Sequence, residues 1–468
     1  MLLPGAARSL LLLALSGLLF STNPAYSAGK TLIPDDTNSR ITVENAVVRG
    51  NETTVFFYTW PYLGDPDSGK PCPLNYYSVA LKPGIPQAKA NVVAKGVCGG
   101  LLQKSRLLDN GDALLLVGGK LERWHNGEQL DRRSLSSIQT FSELGMGADM
   151  ADGLLFAISP RGDVVTVVYT GGTGSDKTKT TGQTLVVAAV NPDGSDKWQA
   201  TIDSAAMGVV VEQVVAGADG SALLYIESLA SGLSPNAESQ LHFIAPDGSR
   251  KLFRLNQVEA QMDFSGMQNM SAADIQRQLQ QQDSSRPEAI KKLKVTASRD
   301  GGYDVLFHRQ GGPEERQGYF LHRINSSGEL YAEMALGNQI LLHGLEQWSD
   351  FRISGNTLVL LGSVLATQQG VNAKRKKWMQ NAVSWIDLGS GTPDTRLIPL
   401  DGRYLEAAMN AGDADMQYLD GLPGGEPALL TSLGQKPLVV SVGMISRRPA
   451  LRLNEADEQL LGYTEAFD

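Results

Sequence analysis

Seven polar, glycine-containing turns recur along this 468-residue chain, and each runs directly into a short apolar stretch. The apolar stretches include Thr54–Tyr58, Ala113–Val117, Val164–Val168 and Leu358–Leu361. The turns centre on Gly50, Gly111, Gly162, Gly220, Gly301, Gly355 and Gly424. Short apolar or β-branched runs that are joined by Gly turns are typical of β-hairpins. The recurrence therefore predicts an all-β fold made of similar units.

The fourth repeat indicates four strands per unit. Its segments are Val209–Val215, Ala222–Glu227, Gln240–Ala245 and Arg250–Leu255, with Asp-Gly turns after the first and third. Successive first-turn glycines are 51 to 81 residues apart, too irregular a spacing for a rigid solenoid. A β-propeller tolerates such variation, because loops lengthen without disturbing the packed four-stranded blades. We therefore predict one seven-bladed propeller over residues 29–468, with six or eight blades as the alternatives.

Parts of several repeats share a further pattern, in which an apolar strand meets a Gly turn. Val186–Trp198 has the full pattern, an apolar strand, an Asn-Pro-Asp-Gly turn and then Trp198. Leu241–Gly248 and Leu321–Gly328 have the strand and the turn without the tryptophan. This pattern resembles the repeat of secreted quinoprotein-like (PQQ-repeat-like) β-propellers. The resemblance implies blade geometry and carries over no cofactor-binding residue, so we predict no cofactor.

One stretch departs from the β pattern. Residues 256–292 are rich in Gln, Met and Ala and poor in β-branched residues, which favours helix. Ser271–Asp274 is typical of a helix start, and Ile275 and Leu279 lie one turn apart. We predict a helical insertion between blades four and five, since the apolar stripe is too narrow for a separate domain.

Residues 1–28 have the composition of a secretory signal peptide. A basic start and the apolar stretch Leu10–Phe20 precede small residues, with Ala25 and Ser27 suitably placed for cleavage near Ala28. Removal of Arg8 with this segment takes the net charge from −9 to −10. We expect a bacterial protein that is periplasmic or secreted, with no membrane span after signal removal, and its acidic balance argues against nucleic-acid partners.

The cysteines and histidines indicate a disulfide and argue against a metal centre. Cys72 and Cys98 are the only cysteines, and an even pair in an exported chain predicts a disulfide. Closing that loop would stabilise the fold by roughly 3.5 kcal/mol in the chain-entropy model. The five histidines are scattered without metal-ligand spacing, so we predict no metal centre.

Loop lengths separate the two faces of the predicted propeller. Turns between first and second strands, and between third and fourth strands, share one face and are short. Long connections are predicted on the other face, hereafter the long-loop face, at residues 61–73, 171–182, 228–239, 310–318, 367–380 and 403–415 and in the helical insertion. Function is most often carried on such loops, so we expect the long-loop face to be the working surface.

Candidate binding residues fall in these loops. Cations and aromatics there suit anionic, glycan or peptide partners. Solvated loop tips, or blade packing for the aromatics, are the competing interpretations. Acidic pairs on this face could bind a cation or cleave a glycan, although solvated turns are the alternative. The candidates are Lys374, Arg375, Lys376, Lys377, Trp378, Trp60, Tyr62, Asp413 and Asp415.

No catalytic signature occurs in the sequence. The pattern favours a non-catalytic binding or assembly module that contacts a protein or glycan of the cell envelope through the long-loop face. The alternative is a glycan-active hydrolase or lyase whose acids converge at the channel mouth, with Glu212 and Asp350 joining Asp413 and Asp415. A third possibility is a structural role, in which the insertion reaches a neighbouring subunit.

Overall fold

The fold is seen in a computed structural model, whose described residues cover most predicted strands. Described are residues 39–49, 52–61, 74–81, 90–97, 103–117, 120–134, 155–170, 184–203, 209–228, 238–256, 288–298, 301–312, 314–337, 347–369, 375–390, 393–397, 428–433, 436–444 and 460–466.

The described residues form strands, apart from turns and a short 3-10 helix, Glu314–Arg316. In chain order the strands are β1 (Ser39–Arg49), β2 (Glu52–Pro61), β3 (Leu74–Leu81), β4 (Ala90–Val97), β5 (Gln103–Leu107), β6 (Ala113–Val117), β7 (Lys120–His125), β8 (Glu128–Ser134), β9 (Leu155–Ile158), β10 (Val164–Thr170), β11 (Thr184–Val190), β12 (Asp196–Asp203), β13 (Val209–Ala216), β14 (Ala222–Ser228), β15 (Glu238–Ile244), β16 (Arg250–Arg254), β17 (Ala289–Ala297), β18 (Tyr303–Gln310), β19 (Gly318–Ile324), β20 (Leu330–Gly337), β21 (Gln347–Ser354), β22 (Thr357–Gln369), β23 (Arg375–Asp387), β24 (Pro393–Leu397), β25 (Ala428–Leu433), β26 (Lys436–Met444) and β27 (Leu460–Ala466).

Each set of four consecutive strands from β1 to β24 forms one antiparallel sheet, and these six sheets are blades 1 to 6. Strands β25 to β27 form a further three-stranded sheet. The first strand of each blade contacts the first strands of its neighbours, and the three-stranded sheet contacts both blade 6 and blade 1. The chain is therefore an all-β propeller with six four-stranded blades, in which the first strands surround the axis.

The predicted repeats agree with most of these strands. Blade 4 reproduces its four predicted segments to within about two residues. The predicted count of seven four-stranded blades differs from the described residues, where six sheets have four strands. The first turn predicted at Gly424 lies outside the described residues, so it stays a prediction. Strands β25 and β26, which follow it, are separated only by residues 434–435.

A five-residue turn recurs on the side opposite the long-loop face, hereafter the tight-turn face. In each copy the amide of the first residue bonds the carbonyl of the fifth, and the glycine amide bonds the carbonyl of the first. The glycine has a φ between 70° and 95°, which side chains rarely adopt. The seven glycines are Gly111, Gly162, Gly194, Gly220, Gly248, Gly301 and Gly328. The predicted sorting of tight turns onto one face is confirmed at these sites.

The core lies between adjacent blades. Buried Val165 and Leu185 of blade 3 pack with Val211 and Leu224 of blade 4 in one apolar cluster. The indole nitrogen of Trp198 donates to the carbonyl of Gly220 at 2.8 Å, which ties blade 3 to the first turn of blade 4. The tryptophan of the quinoprotein-like pattern is therefore a contact between blades.

The predicted helical insertion is corrected at its end. Residues 289–292 belong to β17, where Ala289 pairs with Gln310 and Lys292 with His308. Cross-strand pairing decides the conformation here, although composition favoured helix. Residues 257–287 lie outside the described residues, so the remaining insertion stays a prediction.

The loop predicted at residues 367–380 is wrong over most of its length. Strands β22 and β23 continue as a hairpin, with Gln369 paired to Arg375 and Ala366 to Trp378. The sequence here lacks the apolar alternation of a half-buried strand, so it did not predict strands. A two-stranded ribbon can nevertheless be held by its backbone hydrogen bonds. The predicted loop 310–318 contains the 3-10 helix. The connection between the second and third strands of blade 2 is short, since only residues 118–119 separate β6 from β7.

Packing between blades should make one turn glycine especially intolerant of substitution. Gly328 has φ 70°, and an added Cβ would overlap the ring of Phe243 in blade 4. Gly337 has φ 69°, and an added Cβ would meet nothing within 4 Å. We expect Gly337→Ala to lower the free energy of unfolding by about 1–2 kcal/mol through backbone strain. Gly328→Ala should cost a further 1–3 kcal/mol, roughly the price of overpacking.

Urea unfolding of the two variants measures this difference directly. Equal losses would show that the ring of Phe243 moves aside and that the contact between blades does not fix the turn.

Candidate functional site

The strands around the axis are interrupted by β-bulges. In β1, β13, β17 and β21 the register to the second strand shifts by one residue. The bulged residues are Glu44, Glu212, Lys291 and Ser349, while β5 and β9 pair without a shift. A bulge bends its strand and re-aims neighbouring side chains, often beside binding sites. The axial channel is therefore the candidate functional site.

The residue after the bulge binds the next blade at two of these places. Asn45 Nδ2 donates to the Leu107 carbonyl at 2.9 Å, and its Oδ1 accepts from the Leu107 amide at 2.9 Å. Gln213 makes the same pair of bonds to the Val295 backbone, at 3.3 and 3.0 Å. Each amide side chain thus satisfies both backbone groups of one residue on the exposed edge of the next inner strand.

A lysine takes the corresponding position in blade 5. Lys292 Nζ donates to the carbonyl of Trp348 in β21 and lies 4.2 Å from the centre of its ring. Partial burial lowers the pKa of Lys292, and the charge of Lys294 adds to that shift. This contact joins blades 5 and 6 by a charge-assisted hydrogen bond and a cation–π interaction.

Glu44, the bulged residue of β1, has a raised pKa. Burial raises the pKa of Glu44 from its ordinary 4.5 to about 7, although Lys104 and Ser105 oppose the shift. The Tyr76 ring nearby is buried and stacks on Phe56, with 5.7 Å between centroids. Burial, together with the charge of Glu44, raises the pKa of the Tyr76 hydroxyl. Glu44 is therefore a carboxyl group that can change charge near neutral pH.

Glu212 has a different environment. Its side chain is exposed, and its charge is one of several causes that raise the pKa of Tyr225, after burial and the hydrogen bond to Glu227. Asp350 follows the bulge in β21 and is half-buried. Glu212 and Asp350, both named in the enzymatic alternative, thus lie on inner strands of different blades.

A second polar cluster joins blades 4 and 5 on the long-loop face. Ser239 donates its amide to Asn256 Oδ1 at 2.8 Å, and Asn256 Nδ2 donates to the Glu288 carbonyl at 3.2 Å. Arg309 donates to the Leu255 carbonyl at 2.6 Å, and Arg316 donates to the Glu288 carboxylate at 3.0 Å. The two described residues that flank 257–287 are therefore fastened to each other.

Some of the predicted binding residues lie in described strands, and the others lie outside the described residues. Trp60 lies in β2, paired with Arg40, and Arg375, Lys376, Lys377 and Trp378 lie in β23. Lys374, Tyr62, Asp413, Asp415, Cys72 and Cys98 lie outside the described residues. Tyr76 and Tyr77, which follow the predicted loop 61–73, are fully buried in β3.

Sequence reasoning missed the bulges and the groups they position. A signal is nonetheless present, because each bulge falls on a polar doublet between apolar residues: Glu44-Asn45, Glu212-Gln213, Lys291-Lys292 and Ser349-Asp350. Two adjacent polar residues break the in-and-out alternation of a strand. A bulge adds one residue and so restores the alternation on both sides of the doublet.

In the part of the chain that the structure describes, no three His, Cys, Asp or Glu residues are grouped as a metal site requires. Nor does that part contain a helix of the length and apolarity needed to span a membrane.

No family model and no curated protein matches the chain. Solved structures with similarity include the polysaccharide lyase Uly1, at 9% identity and TM-score 0.42, covering 95% of each chain. The β-propeller domain of the Trilobed protease from Pyrococcus furiosus is 6% identical with TM-score 0.38, covering 91% of this chain and 95% of that one. Synechocystis apocarotenoid oxygenase is 10% identical with TM-score 0.39, covering 94% and 97%.

The raised pKa of Glu44 makes stability depend on pH. Between pH 4.5 and 7 the unfolded chain has lost the Glu44 proton while the folded chain retains it, so the free energy of unfolding falls as pH rises. With allowance for partial exposure, we expect a loss on the order of 2 kcal/mol across this window. Glu44→Gln removes the titrating group and should not show this component.

Urea unfolding of both proteins at pH 4.5, 6 and 8 isolates the Glu44 contribution. The wild type should lose stability relative to Glu44→Gln as pH rises, and parallel pH profiles would contradict a raised pKa.

Proposed function

We propose that this chain is an exported, non-catalytic binding or assembly module, in which the three-stranded sheet serves as the seventh blade. It acts in the bacterial periplasm or outside the cell. Its long-loop face contacts a protein or glycan of the cell envelope, and it needs no cofactor. The observation that carries the proposal is the hairpin of blade 6, which extends beyond its own sheet.

The register defines how far this hairpin extends. Strand β21 pairs with β22 only as far as Ser363, and β24 pairs with β23 only from Ala382. Beyond these residues, no described strand pairs with the hairpin from Val364↔Gln380 to Gln369↔Arg375. Six residue pairs span about 20 Å at the usual rise per residue. This two-stranded segment, the blade 6 ribbon, follows the second strand and therefore points to the long-loop side.

The ribbon carries positive charge in an acidic protein. Arg375, Lys376 and Lys377 are consecutive in β23, and the net charge of the whole chain is −9. Local cations attract carboxylate, sulfate or phosphate groups, and the effect weakens as salt rises. The adjacent Trp378 adds an aromatic residue of the kind that binds sugar rings and peptides. The ribbon is thus suited to an anionic partner.

The catalytic alternative is not favoured. It requires Glu212, Asp350, Asp413 and Asp415 to converge at the channel mouth, and of these only Glu212 and Asp350 lie in described strands, on different blades. Asp413 and Asp415 lie outside the described residues.

Charge reversal of the ribbon tests the proposal. Envelope proteins and acidic glycans retained by immobilised wild-type protein are identified and then titrated individually. We expect Arg375→Glu/Lys376→Glu/Lys377→Glu to weaken binding at least about tenfold, because three attractions become repulsions. The matched control is Arg250→Glu/Lys251→Glu/Arg254→Glu on β16, which should keep the affinity.

Equal weakening by both triple variants would point to net charge alone. Turnover of a glycan by wild-type protein without a retained partner would refute the non-catalytic role.

The predicted disulfide is also proposed, and the register of β3 and β4 supports it. Leu74, the first residue of β3, pairs with Val97, the last residue of β4. Cys72 comes two residues before β3 and Cys98 directly after β4, so both adjoin the same end of this antiparallel pair in the sequence. Residues that extend such a pair come within the Cα separation of a disulfide. Oxidation in an exported protein is the expected state.

Intact mass analysis after alkylation without reduction should show no modified cysteine. Cys72→Ser should lower the free energy of unfolding by about 3 kcal/mol, and by no more once Cys98 is also replaced, because the single variant has already opened the loop. Two alkylated thiols in protein purified from the periplasm would contradict the disulfide.

A further inference from the structure

The three-stranded sheet has an outer edge that no described strand covers. Its strands lie in the order β25, β26 and β27, and β25 contacts the first strands of blades 6 and 1. Each of the six blades has a fourth strand beyond its third strand. Among the described strands, β27 pairs only with β26. An edge that exposes a row of backbone groups is a place where a further strand can add.

The path of the chain indicates which segment arrives beside this edge. Blades 2 to 6 each receive the chain from the fourth strand of the blade before, as β4 leads to β5 and β12 leads to β13. Strand β1 is the first strand of blade 1, and the three-stranded sheet lies beside it in the ring. The residues before Ser39 therefore have the place in the chain that a fourth strand has in the other blades.

The lengths of the connections agree with this assignment. Five residues, 98–102, separate β4 from β5, and five residues, 204–208, separate β12 from β13. A connection of the same length before Ser39 would cover residues 34–38 and leave residues 30–33 for a strand. Four residues are enough for a strand in this fold, since β9 has four and the fourth strands β16 and β24 have five each.

The sequence before β1 is typical of a strand followed by a turn. Thr31 and Ile33 are β-branched, and Leu32 between them is apolar. Pro34 has no backbone N–H to donate to a ladder, so it marks the end of a strand. Residues 35–36 are both aspartate, which favours turns. The strand and the turn thus fall where the connection lengths require them.

The charges at the two ends of this pairing are complementary. A fourth strand runs antiparallel to the third strand, so the start of the segment comes to the end of β27. Lys30 is at the start of the segment, and Glu465 is the last residue but one of β27. Opposite charges on paired strands stabilise a sheet, whereas like charges destabilise it.

We propose that residues 30–33 form the fourth strand of the three-stranded sheet and pair with the outer edge of β27. The edge is thus occupied by a segment of this same chain, and backbone hydrogen bonds join the first and last parts of the ring. The pairing also covers an edge that could otherwise add a strand of another molecule. This inference rests on the proposed seventh blade, and it is independent of the anionic partner of the blade 6 ribbon.

Proline substitution tests the pairing in the exported full-length protein. Adjacent residues of a strand direct their N–H groups to opposite edges, so one of Thr31 and Leu32 donates towards β27. Proline there removes the bond, whereas proline at the other position keeps it. Of Thr31→Pro and Leu32→Pro, we expect one to speed deuterium exchange of the β27 amides at least about tenfold and the other to act less. Asp36→Pro, in the connection, is the matched control and should leave exchange unchanged.

Exchange of the β14 amides in blade 4 should stay unchanged in all three variants, which separates a local effect from loosening of the whole ring. Equal exchange of the β27 amides in the wild type, Thr31→Pro and Leu32→Pro would overturn the proposal.

If the proline variants do not fold, chemical coupling of the wild type carries the test. Zero-length carbodiimide coupling followed by mass spectrometry should give an amide between Lys30 and Glu465, which Glu465→Gln should not give. Coupling of Lys30 only to other carboxylates would overturn the proposal. A mixture of ¹⁵N-labelled and unlabelled protein shows whether the link lies within one chain. A link between two chains would assign the edge to a second copy and would also overturn it.

Discussion

The ring depends on how the exposed edge of each first strand is satisfied. A first strand has a paired neighbour on one side only, and its other backbone groups point away from its own sheet. Asn45 and Gln213 satisfy such groups in the next blade through both atoms of their amides. These bonds join adjacent blades without merging their sheets, which apolar packing alone would not specify, since it has no directional preference.

The same constraint accounts for the chemistry of the channel. Each bulge that brings an amide or lysine to the next blade also leaves one extra residue, and in β1 and β13 that residue is glutamate. Glu44 is buried enough to titrate near pH 7, whereas Glu212 is exposed. Carboxyl groups therefore lie at the bulges of the first strands of blades 1 and 4.

Local sequence was sufficient wherever local chemistry decides the structure. The five-residue turns need glycine at one positive-φ position, so Gly162 and Gly220 mark hairpins without knowledge of the remaining fold. The bonds of Asn45 and Gln213 connect residues 62 and 82 positions apart and leave no local periodic signal. The blade 6 ribbon was missed for a different reason, because its strands are held by pairing and not by an apolar face. The polar doublets could be seen in the sequence as breaks in strand alternation. Their role in joining blades could not be predicted, because it depends on which strand lies next to them in the fold.

The long-loop face, although built of variable connections, has a fixed attachment. Asn256 and Glu288 flank 257–287 and are both at least 95% buried, and their hydrogen bond brings those ends together between blades 4 and 5. Arg309 and Arg316 add charged bonds to the same two ends. Breaking one partner of so buried a network leaves polar groups unsatisfied, which costs more than a surface ion pair contributes. The two residues that flank 257–287 are therefore fixed at one place between blades 4 and 5.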